Sequence, residues 1–266
     1  MIYTCYEMVR DCRANQAEGW SYFVVNYVPA IRKLLTHYYP ERAGDSELLG
    51  RVLLRLRDPQ SSLFQSLEPA PERWFLAELR QALLAAVESD TATAAPEIVI
   101  DLETLSAALD RLTVVEKQVT WLETMRYSPA ETASMLRMDA KTVEKIRSKA
   151  AQLIREKADN WRSTLLADNA ASLRQSAGAS HSKDCLPAKA FLDVLDGRTT
   201  WRGREEMEQH AIRCWYCVDH FCRIAEVVEL LRGLHPLSEA EAAPLRSLLG
   251  VQVEKPPAWK RWLRGA

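Results

Sequence analysis

Residues 128–157 read SPAETASMLRMDAKTVEKIRSKAAQLIREK. Ser128 suits a helix cap, Pro129 fits a first helical turn, and Glu131, three residues after the serine, completes a capping box. A short helix over SPAETASMLR follows, with Ala130, Ala133 and Leu136 turned inward. Arg137-Met138-Asp139 makes a turn, and Asp139 caps the next helix. There Val143, Ile146, Ala150, Leu153 and Ile154 recur at steps of three and four, one apolar face. The opposite face carries Lys141, Thr142, Glu144, Lys145 and Ser148, flanked by Arg147 and Lys149. From Asp139 to Lys157 there are six Lys/Arg against three Asp/Glu. Two short helices, a tight turn and a basic outer face make a helix-turn-helix. In that motif the second helix enters the DNA major groove, its N-terminal residues meeting base edges and its cations meeting phosphates. Glu144 repels phosphate and fits only opposite a cytosine amino group or beside a lysine.

Helical spacing extends outward from this segment. Leu102, Leu105, Leu109 and Leu112 form one face upstream, and Val115, Val119 and Leu122 the next. Further back, Trp20, Phe23, Val24, Tyr27, Val28, Ile31, Leu34, Leu35 and Tyr38 make a broad apolar stripe, with Pro29 placed to kink or split it. Leu48 to Leu56 and Trp74 to Val87 supply two more apolar sets. Only nine glycines occur, and β-branched runs are scarce apart from Ile98–Ile100. The expectation is an all-α chain of two small helical domains followed by a small helical metal-binding module. The 266 residues divide as a helical domain at 1–90, a linker at 91–100 and a helix-turn-helix domain at 101–161. An Ala/Ser-rich linker covers 162–184, a cysteine-bearing module 185–235 and a tail 236–266. The tail holds one further helix. Its Trp259 and Trp262, beside Lys260, Arg261 and Arg264, are expected to dock on the protein itself.

Formal net charge is −1, so contact with nucleic acid must come from a local basic face rather than a global field. No secretory h-region stands near the N-terminus, and no stretch has the length of a membrane span. A cytoplasmic protein without stable membrane insertion is expected. There its six cysteines would be reduced and better suited to metal than to disulfides. His210, Cys214 and Cys217 form H-x3-C-x2-C, which puts the histidine and the first thiol on one helix face with the second thiol a turn away. Cys185 upstream completes one histidine and three thiols, a closed tetrahedral set suited to structural zinc. His181, His220 and Cys222 stand as substitutes for Cys185. There is no phosphate-cradling glycine loop and no nucleophile or hydrolytic-metal pattern among the five histidines, so catalysis is not expected.

These residues carry a resemblance. The stretch ALDRL…Tyr127-Ser128-Pro129-x-Glu131-x-Ala133, followed by Lys141-Thr142-Val143, Arg147 and Ala150, resembles region 4 of sigma-70-type factors, especially the extracytoplasmic-function class. MVRDCRANQAEGWSYFVVNYVPAIRKLL and ERWFLAELRQALL resemble region 2 of that family more weakly. FLDVLDGRTTWRGREEMEQHAIRCWYC is similar to the zinc-binding anti-sigma domain. The resemblance implies promoter DNA and core RNA polymerase as partners and Arg73, Trp74 and Arg80 on the DNA side. It also implies a zinc module that packs on the sigma-like domains and restrains them, so that deleting residues 180–266 raises promoter activity. The acidic segment that precedes the polymerase-binding helix in that family is not present between Tyr39 and Leu56. Two other functions fit the same residues: a helix-turn-helix regulator without sigma activity, and an interaction protein whose zinc module binds a separate sigma factor.

Overall fold

The protein is seen here as a computed structural model that describes residues 3–58, 61, 63–64, 71–90, 100–158 and 161–252. Every regular element among them is helical, as the spacing requires. Four helices, α1 (Cys5–Arg13), α2 (Ala17–Tyr38), α3 (Ser46–Arg57) and α4 (Glu72–Asp90), form the N-terminal bundle. The next four, α5 (Leu102–Ala108), α6 (Val114–Thr124), α7 (Pro129–Leu136) and α8 (Ala140–Arg155), build the helix-turn-helix region. After them come α9 (Leu165–Asp168), α10 (Ala170–Ala179), α11 (Ala188–Leu195), α12 (Trp201–Ala211), α13 (Trp215–Leu231) and α14 (Glu239–Leu248).

Local chemistry explains the helix starts. Thr4 with Glu7, Thr113 with Glu116, and Ser128 with Glu131 make reciprocal capping boxes, and Asp45, Asp101 and Asp139 accept from backbone N–H groups of their first turns. Gly19 lets α1 and α2 approach closely, because a Cβ there would lie 2.6 Å from the Cys12 backbone nitrogen.

Pro29 neither splits nor ends α2, which runs unbroken for 22 residues. Proline lacks an N–H, so the carbonyl four residues earlier loses its helical partner. That carbonyl belongs to Val25, and it accepts instead from the Leu237 N–H at 2.8 Å. The segment leading into α14 is thereby tied across α2, and Arg246 donates to the Ser21 hydroxyl at 3.1 Å on the same side.

Residues 162–184, read from composition as a linker, instead hold α9 and α10, with Leu165, Leu166, Leu173 and Ala177 buried. Alanine and serine suit a solvated loop by composition, yet alanine is also the strongest helix former. Of the linker expected at 91–100, residues 91–99 lie outside the described residues, as do the tail tryptophans.

Helix α13 occupies the centre. It packs against α4, α6, α7, α10, α11 and α2. Most of its side chains are buried, including the charged Asp219, Arg223 and Glu226. One apolar core extends from Met8 to Val251 through all three sequence blocks, with a small satellite of Val119, Ala133, Val143 and Ile146 beneath the helix-turn-helix. Replacing Gly19 with alanine forces two helix backbones apart. Gly178 lies in α10 with open space around it. Urea titration should show G19A clearly destabilised and G178A stabilised by roughly 0.5–1 kcal/mol, the helix-propensity difference.

Candidate metal centre and helix-turn-helix

The ligand atoms of Cys185, His210, Cys214 and Cys217 lie within 4.8 Å of one another, an arrangement able to hold a metal ion. Cys185 comes from the turn before α11, and His210 from the last turn of α12. Cys214 caps α13, and Cys217 lies in its first turn. The sequence spacing therefore closes three helix ends on one point.

Cys185 Sγ and Cys214 Sγ are 3.7 Å apart. This far exceeds a disulfide bond and is close to the edge of about 3.8 Å that a zinc–sulfur bond of 2.3 Å gives in a tetrahedron. The Ser182 N–H points at Cys185 Sγ at 3.2 Å, and the Leu186 N–H points at Cys217 Sγ at 3.4 Å. Burial works to raise the Cys185 thiol pKa, but the Ser182 backbone and hydroxyl donors outweigh it and hold the pKa below the ordinary range. Burial pushes the Cys214 and Cys217 thiols up. His210 Nε2 is buried without a hydrogen-bond partner. One imidazole and three thiols gathered this closely are a donor set suited to a soft or borderline cation, so the residues fit a structural metal.

The proposed substitutes for Cys185 are elsewhere. Cys222 is fully buried with its Sγ towards the Gln118 carbonyl, His181 lies against Tyr216, and His220 is enclosed by Phe191 and Tyr216.

Around this centre the module is fastened to both neighbours. Lys117 of α6 donates to the Ile212 carbonyl at the end of α12, at 2.6 Å. Trp121 donates from Nε1 to Asp219 at 2.9 Å, and Asp219 in turn pairs with Arg223 at 2.9 Å. On the N-terminal side Arg73 forms a two-pronged bond to Asp196, at 2.7 and 2.8 Å. Arg80 pairs with Glu226 at 2.7 Å, and neither side chain has any exposure. The Tyr38 and Tyr127 hydroxyls donate to the same carboxylate at 2.5 and 2.6 Å. Arg80 was expected on a DNA-facing surface, but a fully buried guanidinium cannot reach a phosphate. Arg73 is bound to Asp196, and Trp74 rests partly buried on the core.

The two helices and the turn between them form where the sequence places them. Arg137 takes the left-handed conformation at φ 54° and ends α7. Val143, Ile146, Ala150 and Ile154 are buried, while Lys141, Thr142, Glu144, Lys145, Ser148 and Lys149 are exposed. Ala130 is exposed rather than inward, and Thr132 and Met135 take the buried positions beside Ala133. Arg147 is half-buried and pairs with Glu123 at 3.0 Å, and Lys149 pairs with Glu116 at 2.7 Å. Sequence spacing places both cations at the edge of the outer face but carries no sign of their partners in α6. No helix among the described residues is long and apolar enough to cross a membrane.

Neither protein-family models, nor curated proteins, nor solved structures give a match to this chain.

Two outcomes follow for the centre. Purified chain should carry one tightly held metal per molecule by elemental analysis. C185S should lose it and C222A should keep it, whereas equal retention in both would remove Cys185 from the set. Separately, burial and the neighbouring Arg223 cation hold the His220 imidazole at about 3. The unfolded chain protonates histidine near pH 6.5, so it takes up the extra proton between those values and stability falls as pH drops through that window. Denaturant titrations of the metal-bound chain from pH 7 to 5 should show H220F losing less stability than wild type, by on the order of 1 kcal/mol per pH unit.

Proposed function

We propose that this chain is a sigma-like transcription initiation protein that docks on duplex promoter DNA through α8 and carries a zinc-structured regulatory module. The observation that supports it most is the outward face of α8. Lys141, Thr142, Glu144, Lys145 and Ser148 are exposed on a helix whose other face is fixed on α6 and α7 by capped ends and a tight turn. Cys185, His210, Cys214 and Cys217 would hold the metal, and three thiols with one imidazole favour zinc. When bound, zinc supplies a closed cross-link with no open coordination position. Its work is structural: it ties the approach to α11 and the end of α12 to the start of α13.

In this arrangement α13 covers the helix of the N-terminal bundle that carries Arg73 and Arg80. Polymerase engagement through that helix therefore requires α13 to leave, which makes the module a restraint. The same burial favours a second reading, a helix-turn-helix regulator that binds DNA without sigma activity. Deleting residues 180–266 does not separate the two, since it strips Trp121, Arg80 and Tyr127 of their buried partners and removes part of the core.

Full-length protein with core RNA polymerase does separate them. Promoter-specific run-off transcripts support sigma-like initiation. Salt-sensitive duplex binding without transcripts supports the second reading. Loss of both with retained binding to a separate sigma factor would leave the zinc module as an interaction domain.

A further inference from the structure

On a straight α-helix successive side chains turn by about 100°. Lys141, Lys145 and Ser148 consequently share one line along the outside of α8. Arg147 and Lys149 stand about 160° apart, straddling the buried Ile146 and Ala150. Both are met from below by a single stripe of α6. Glu123 binds Arg147 at 3.0 Å, with about one fifth of each side chain exposed, and Glu116 binds Lys149 at 2.7 Å. Glu116 is itself fixed by its capping box with Thr113, whose N–H it accepts at 2.9 Å. Of the remaining cations on this helix, Arg155 lies over the Trp161 ring at the far end.

We infer that Glu116 and Glu123 are positioning residues that hold Lys149 and Arg147 against α6, so that α8 meets phosphate through Lys141 and Lys145 rather than through all its flanking cations. The two ion pairs lie on either side of the buried face that fixes the helix. A cation already matched by a carboxylate releases few counterions on meeting a phosphate, and moving it to the phosphate leaves that carboxylate unpaired beside the DNA. As stabilising contacts such partly exposed pairs contribute little, about 0–1 kcal/mol. Their consequence lies in how many charges the DNA meets. This inference rests on α8 docking on duplex DNA.

The test is binding of the full-length chain to a random-sequence DNA duplex of about two helical turns, followed by fluorescence anisotropy over a series of salt concentrations. Each phosphate neutralised contributes about 0.9 to the slope of log K against log salt. K141Q and K145Q should each flatten that slope by about 0.9. E123Q frees Arg147 and should steepen it by about the same amount, which is a three- to fourfold change in affinity ratio across a fourfold range of salt. E116Q should act likewise through Lys149, and glutamine still reaches the Thr113 N–H of the capping box. The double variant E123Q/R147Q should return to the wild-type slope. A merely structural role for these carboxylates would change affinity without moving the slope.

If R147Q flattens the slope as K145Q does while E123Q leaves it unchanged, Arg147 already touches phosphate and the inference is overturned. If the wild-type chain shows no salt-dependent duplex binding, DNA docking itself fails and the inference fails with it. The wild-type measurement alone distinguishes these two failures.

Discussion

A guanidinium and a carboxylate without any contact with water are expensive to keep, and in this chain they are Arg80 and Glu226. Taking two charges out of solvent costs several kcal/mol per ion, and only close pairing with satisfied neighbours offsets it. The Tyr38 and Tyr127 hydroxyls complete that satisfaction by donating to the same carboxylate, and Arg80 also donates to the Tyr38 oxygen at 2.6 Å. Burial beside this carboxylate pushes both phenols well above their ordinary pKa. Four residues from α2, α4, the turn after α6, and α13 thus have one low-energy arrangement. Separating any one of them strands a buried charge or hydroxyl.

Helix α13 is consequently more than a cover over two finished domains. Its apolar face joins the common core, and its polar positions Asp219, Arg223 and Glu226 are matched to α6, α4 and α2. Cys214 and Cys217 of the candidate metal-binding cluster lie where this helix begins, and Lys117 binds the carbonyl that ends the helix before it. Any regulation that exposes the N-terminal bundle must move this helix as a unit and solvate its charges together. Such a transition is expected to be two-state rather than graded, because partly paired buried charges are worse than either extreme.

The features that were legible in the sequence depend on neighbours a few residues apart. The Ser128–Glu131 box, the Asp139 cap, the buried stripe of α8 and the H-x3-C-x2-C ligands are all encoded within one or two helical turns, and all formed. What was misread depended on partners far along the chain. The resemblance put Arg80 on a DNA-facing surface, but it meets a carboxylate 146 residues away, for which the neighbouring sequence carries no sign. Pro29 left α2 intact, with the carbonyl it frees satisfied by Leu237 from the far end of the chain. The Ala/Ser run at 162–184 has the composition of both a loop and a helix, and the packing of Leu173 and Ala177 against the core decided it. Arg147 and Lys149 were correctly placed on the helix, but their α6 carboxylates carry no local signature.

Through Glu226, α13 locks the N-terminal bundle to the helix-turn-helix region. The distance between labels at exposed Ala43 and Gln152, introduced by chemistry that spares the cysteines, reports this lock. The metal-bound wild type should give one narrow distance distribution. E226A leaves Arg80 uncompensated, at a cost of about 3–5 kcal/mol, and should broaden and lengthen it, while R80M/E226L with Y38F and Y127F, which leaves no charge or hydroxyl of this cluster unpaired, should restore a narrow one. A helical, metal-bound E226A chain with the wild-type distribution unchanged would show that Glu226 does not hold the two regions together.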